Sequence, residues 1–194
     1  MIITEVEGDL FDAPDGAVLI HACNCLGSWG GGIAKAFQAK YPAAYEIYKE
    51  HCRDLRQSSR SQTLIHPDTG EEQDVRFPLG TALIIPPQKE DYESDTPAKK
   101  HWIVCLFTSY AYGRSVSPPH IVLANSVHAL RDMKRQLEEI HRQGKAEWDG
   151  KLHTCRFNSG LFRVRWEDSK AVLEKELDET EGVQEIVVVR PRGG

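Results

Sequence analysis

The chain of 194 residues is 40% hydrophobic and 27% charged, which excludes a disordered or fibrous protein, and its net charge of −5 gives no indication of a broad basic face for duplex nucleic acid. A chain of this length buries roughly 70% of its unfolded surface, enough for one core without disulfide or metal staples, so a single domain over 1–194 is expected. A local anion site built from backbone N–H groups stays open at this charge.

In chain order, β-branched apolar runs predict strands at 2–6 and 17–21. A helix then runs from Gly31 to Cys52, where Ile33, Ala36, Phe37, Tyr41, Tyr45 and Tyr48 recur at three- and four-residue steps and Pro42 kinks or splits it. Residues 57–78, rich in Ser, Asp, Glu and Gln with little periodicity, read as a surface excursion. A strand follows at 81–85, then a second excursion at 86–100 marked by acidic residues with Pro86, Pro87 and Pro97. Beyond it come a strand at 102–107, a helix from His120 to Arg142, a strand at 153–157, a helix from Glu167 to Glu179 and a strand at 186–189. Several of these strands are continuously apolar, the mark of strands buried on both faces, so the class is α/β with helices on either side of a mixed or parallel sheet.

No apolar run approaches the ~20 residues of a membrane span, and Met1-Ile2-Ile3-Thr4 lacks the basic start of a signal peptide. An intracellular protein, cytoplasmic or nuclear, is expected. Five cysteines, several within apolar runs, predict reduced thiols rather than a disulfide framework.

Chemistry concentrates where the second strand meets the first helix, in His21-Ala22-Cys23-Asn24-Cys25-Leu26-Gly27-Ser28-Trp29-Gly30-Gly31-Gly32-Ile33-Ala34. An apolar strand ends in polar side chains, and the chain then passes through consecutive glycines into a helix. Such a loop lets backbone N–H groups approach a bound anion at a helix N-terminus, and a pyrophosphate suits it. The Gly-x-Gly-x-x-Gly spacing of dinucleotide folds and the Gly-Lys-Ser/Thr of a P-loop are both missing, so another architecture is required.

At these residues the chain resembles the macrodomain family, an ADP-ribose-binding α/β fold. His21-Ala22-Cys23-Asn24 with Gly30-Gly31-Gly32 is similar to the family's Asn-Ala-Ala-Asn and Gly-Gly-Gly motif. Gly8-Asp9-Leu10 matches its Gly-Asp-Ile start, and Asn158-Ser159-Gly160-Leu161-Phe162 its second phosphate loop. Together with Cys105-Leu106-Phe107-Thr108-Ser109 and Trp166, the pattern is most similar to the ADP-ribose 1″-phosphate phosphatase branch. The implied fold is a three-layer α/β/α sandwich with a mixed central sheet.

The resemblance implies that Asp9 accepts the adenine amine while the Leu10 N–H contacts the ring. It further implies that Asn24 bonds the distal ribose and that Gly30, Gly31, Gly32 and Ile33, with Ser159, Gly160, Leu161 and Phe162, supply donors to the diphosphate from two sides. Phe162 would pack on the ribose. By pattern alone Asp9 also suits a turn or cap, and Phe162 a core position. Hydrolases of the family that release ADP-ribose from acidic residues carry an Asp where Ala34 stands, or a Lys and an Asp where Thr108 and Phe162 stand, so both of those constellations look absent.

At the ribose end, His21 is the candidate general acid or base, because histidine is the residue type suited to proton transfer near neutral pH, with Asn24 beside it; a histidine at a strand end is also commonly a satisfied structural residue. Cys52 is no phosphatase nucleophile, because Ser58 stands where the phosphate-binding Arg would be needed. Cys23-x-Cys25 lacks zinc-hairpin spacing, and no metal or other cofactor is expected. The expected function is hydrolysis of ADP-ribose 1″-phosphate to ADP-ribose and phosphate without metal. The rivals are removal of mono-ADP-ribose from protein or nucleic acid, and a non-catalytic reader of ADP-ribose. The expected partner is a small molecule, with no membrane or extended nucleic-acid surface and a monomeric state.

Overall fold

A computed structural model describes residues 1–193. Its central sheet contains β1 (Ile2–Glu7), β2 (Val18–Asn24), β5 (Ala82–Ile85), β6 (Trp102–Ser109), β7 (Lys151–Thr154) and β8 (Glu185–Arg190), in the order β1-β8-β7-β2-β6-β5. All neighbours run parallel except the edge pair β5–β6. Side chains alternate across this sheet, as the pleat dictates. Leu19, Cys23, Cys105 and Phe107 enter one core with Phe37 and Tyr48 of α1 (Gly32–Lys40) and α2 (Pro42–Ser58). Val18, Ile20, Val104 and Leu106 enter the other with Leu130 and Met133 of α4 (Pro119–Arg142) and Leu173 of α5 (Trp166–Leu177). The result is the three-layer sandwich that the sequence implies.

The expected helix at 31–52 is two helices, because Pro42 opens α2 in the first helical position, where its missing N–H costs nothing. The excursion at 57–78 is more ordered than its composition indicates. It holds the end of α2 and an antiparallel hairpin, β3 (Ser61–Ile65) with β4 (Glu72–Arg76), in a separate two-stranded sheet. The excursion at 86–100 contains a short helix, α3 (Lys89–Tyr92), and does a specific job: Asp91, 3% exposed, accepts from the Ala43 N–H (2.8 Å) and the Ala44 N–H (3.1 Å), satisfying donors at the start of α2.

Two strand boundaries bear on the site. β2 continues past the expected end at His21, because pairing with β6 carries it through Ala22↔Leu106 and Cys23↔Phe107 to a bulge before Asn24. The seventh strand covers 151–154 rather than 153–157; Phe157 is buried, but off the sheet, edge-on to Trp166. The parallel strands release their carboxyl ends along one edge of the sheet, the edge where open α/β sheets bind ligands. Among the described residues no helix is long and apolar enough to cross a membrane.

Candidate functional site

A pocket of 600 Å³ opens at that edge, between the loop after β2 and the loop after β7. Its wall includes Asn24, Gly30, Gly31, Gly32, Ile33, Gly160, Leu161 and Phe162, so most of the residues expected to bind ligand converge there.

The first loop is pinned by its own asparagine. Asn24 is buried; its Oδ1 accepts from the Leu26 N–H (3.0 Å) and the Ser28 N–H (3.3 Å), and its Nδ2 donates to the Ser28 carbonyl at 2.7 Å. One amide hydrogen of Asn24 is left for a ligand. Beneath the loop lies Trp29, stacked against Tyr45 and Tyr48, while the Tyr48 hydroxyl donates to the Asn24 carbonyl at 2.7 Å. Gly31 caps α1 with no side-chain bond, and Gly32 sits at φ 58. Among the described residues, the N–H groups of Gly30, Gly31, Gly32 and Ile33 meet no protein acceptor. They form a set of donors at the positive end of a helix.

The second loop is pinned from outside itself. Asn158, buried at φ 64, accepts from the Thr108 hydroxyl (2.7 Å) and donates to Ser126 Oγ (2.9 Å) and Ser169 Oγ (3.4 Å). Its carbonyl receives the Val164 N–H, and that of Gly160 receives the Arg163 N–H. The N–H groups of Gly160, Leu161 and Phe162 are left free of protein acceptors among the described residues. The two loops nearly touch: a Cβ added to Gly31 would lie 2.7 Å from Leu161 Cδ1. Leu161 is 62% exposed and overhangs the glycines as an apolar flap.

His21 is not in the pocket wall. Its ring is 0% exposed, stacked on Phe37 at 4.1 Å and edge-on to Trp29 at 5.0 Å. The cause is the extension of β2, which places His21 well inside the strand and, by alternation, on the face covered by α1. The expectation of an acid or base in contact with substrate is therefore corrected: His21 supports the floor beneath the first loop.

The pocket thiols offer no nucleophile either. Burial pushes the Cys23 thiol well above its ordinary range and that of Cys155 up to about 12, so both stay protonated at neutral pH. His21, Cys23 and Cys105 form a buried trio, but Cys23 Sγ lies almost equally far from both ring nitrogens, 3.6 and 3.5 Å. Neither in-plane lone pair aims at a sulfur so placed, and the trio packs as core. Thr108 and Ser109 are likewise committed, to Asn158 and to the Ala111 carbonyl.

Two arginines outside the motifs, Arg156 and Arg163, are among the residues of the wall, and no carboxylate lines it among the described residues. Arg156 Nη2 donates to Glu5 Oε2 at 3.0 Å, and Glu5 also accepts from Lys170 and Trp166. The Lys170 bond is the main reason the Glu5 carboxyl is held down to about 2, with Arg156 and Trp166 adding to it. Arg163 stands at φ 60 and is exposed. The available signal was their position, since both arginines flank the Asn-Ser-Gly segment.

Asp9, Leu10 and Ser159 lie outside the pocket wall. Asp9 Oδ1 caps a short 3₁₀ turn through the Phe11 N–H (2.9 Å), Leu10 is buried, and Ser159 Oγ donates to the Arg156 carbonyl. Asp9 nonetheless follows β1, on the same edge. It stands three strand spacings from β2, about 14 Å, a distance that only an extended ligand would cross.

An α/β/α sandwich whose strand ends carry two facing loops of N–H groups without protein acceptors among the described residues has the arrangement that suits an anion. The profile of the Macro domain matches residues 20–86. The chain is 54% identical to a protein of Aspergillus fumigatus named ADP-ribose 1″-phosphate phosphatase, over 99% of this chain and 96% of that one. A protein of the same name from Debaryomyces hansenii is 34% identical, covering 90% and 93%. Among solved structures, the macrodomain of Mycobacterium tuberculosis DarG superposes with a TM-score of 0.65 at 19% identity, covering 96% of this chain and 97% of that one. Thermosipho africanus DarTG in complex with ADP-ribose gives 0.64 at 14% identity, covering 97% of this chain and 42% of that one. The chain belongs to the macrodomain family.

Proposed function

We propose that this protein hydrolyses ADP-ribose 1″-phosphate to ADP-ribose and inorganic phosphate, one water entering per phosphate released. The observation that carries the reading is full-length identity of 54% to a relative of that name, joined to a pocket whose two loops present unpaired N–H groups to one another. In this reading the donors of Gly30 to Ile33 and of Gly160 to Phe162 hold the diphosphate, Ser159 shapes the second loop, and Phe162 packs on the distal ribose. Asn24 orients that ribose through its remaining amide hydrogen. Asp9 and the Leu10 N–H receive the adenine at the far end of the edge.

With His21 buried and the pocket thiols protonated, the described residues put forward no side-chain base near the ribose. Water held by backbone groups would attack, and the substrate's own phosphate is the proton carrier available. In this reading the reaction needs no metal. The test is phosphate release from ADP-ribose 1″-phosphate by the purified protein with chelator present, beside a mono-ADP-ribosylated peptide. Phosphate from the first and no ADP-ribose from the second is expected. ADP-ribose released from the peptide, or tight ADP-ribose binding with no turnover of either, overturns the reading.

A further inference from the structure

Two arginines are among the residues that line the pocket, and they are held differently. Arg156 is tied to Glu5, a carboxylate already shared with Lys170 and Trp166. Arg163 has no acidic group within ion-pairing distance among the described residues. Its backbone sits in the left-handed region at φ 60, which glycine adopts freely and a long side chain does not. It directly follows Phe162, and both line the pocket.

The diphosphate is already provided for by the N–H groups of the two loops. A substrate with a further phosphate brings further negative charge into a wall whose other cation is committed, and the uncommitted one is a planar guanidinium, able to take two oxygens at once. We propose that Arg163 is a specificity-determining residue that binds the monoester phosphate of ADP-ribose 1″-phosphate, the group that separates substrate from product. The inference rests on the phosphatase reading above. Cleavage would remove Arg163's partner, so the product would be held less tightly than the substrate.

The experiment compares Arg163→Gly, Arg163→Gln and Arg163→Lys with the parent protein for KM and kcat of phosphate release, for the inhibition constant of ADP-ribose as product, and for melting temperature. Glycine removes the guanidinium while easing the backbone, so Arg163→Gly should melt at or above the parent temperature. Its KM should rise about 10-fold, the loss expected for one charge-assisted contact, with the ADP-ribose inhibition constant changed by less than about 2-fold. Arg163→Gln should behave as glycine does, and Arg163→Lys should recover part of the KM. Equal weakening of substrate and product would assign Arg163 to the shared diphosphate and overturn the proposal, as would an unchanged KM in both neutral variants. If the parent protein releases no phosphate, the phosphatase reading fails instead. The ratio of its affinities for the two ligands by calorimetry, in parent and Arg163→Gly, then decides the role of Arg163.

Discussion

The two loops facing each other across the pocket present the same chemistry, unpaired backbone donors, but are held by opposite means. The first is folded on itself by Asn24, whose side chain bonds the backbone two and four residues away and also accepts from the Tyr48 hydroxyl (3.2 Å), and it rests on a floor of His21, Trp29, Phe37 and Tyr48. The second hangs from Asn158, which reaches β6, α4 and α5 through Thr108, Ser126 and Ser169. Local pinning makes the first loop separable from global stability, whereas the second loop is built into the polar interior. An identical residue type thus shapes a pocket wall in one place and fastens three elements in the other.

The largest expected effect tests the floor. His21→Ala should destabilise the protein by about 2–4 kcal/mol through the cavity it leaves, while turnover per folded molecule stays near the parent value. Denaturant melts run beside kinetics check this, and a loss of kcat in a stable His21→Ala variant would break the assignment of His21 to the floor. The asparagines come next. Asn158→Ala should cost about 2 kcal/mol by stranding buried hydroxyls and by placing alanine at positive φ. Asn24→Ala should cost about half of that and weaken ADP-ribose binding ~10-fold, measured by calorimetry. Equal stability losses would erase the distinction between the loops.

The glycines sharpen it. Gly32→Ala meets a positive φ and should cost about 1 kcal/mol, whereas Gly31→Val acts through Leu161, whose exposed flap must move, so binding should suffer with little change in melting temperature. The smallest effect concerns Glu5, which steadies Arg156 at the foot of the second loop. Its folded pKa, about 2, lies below the ordinary glutamate value, so the stability it adds is present in full above that ordinary value and is lost as pH falls toward about 2. The melting-temperature gap between the parent and Glu5→Gln should therefore be widest near neutral pH and shrink below about pH 4. A gap that is independent of pH would detach Glu5 from the loop.

The sheet was legible in the sequence because strands buried on both faces, such as Val18 to Ile20 and Val104 to Phe107, cannot avoid continuous apolar runs. The glycine loop was legible too, since consecutive glycines at a strand-to-helix junction have few other uses. The role of His21 was not, because the polar residues 21–24 look like a strand end, and only pairing with β6 keeps them in register. Nor was the hairpin in 57–78, whose strands pair through backbone bonds that polar side chains such as Gln62, Thr63 and Asp74 do not announce. Arg156 and Arg163 escaped because a charge on a loop carries no period to read. Asp91 was hidden for a related reason: an acid in a polar stretch looks solvated until the helix end it serves is in place.

That placement of Asp91 sets where the chain can change length. Residues 86–100 look like a dispensable insertion, yet they carry the acceptor for two N–H groups of a helix more than forty residues upstream. Shortening this segment would leave those donors bare in the interior, whereas the turn between β3 and β4 reaches outside its own hairpin through the solvent-exposed ion pair of Asp68 with Lys175 of α5, a contact of the kind that adds little stability. Tags, labels and domain fusions belong at residues 66–71, and the apparently idle stretch after β5 should be left as it stands.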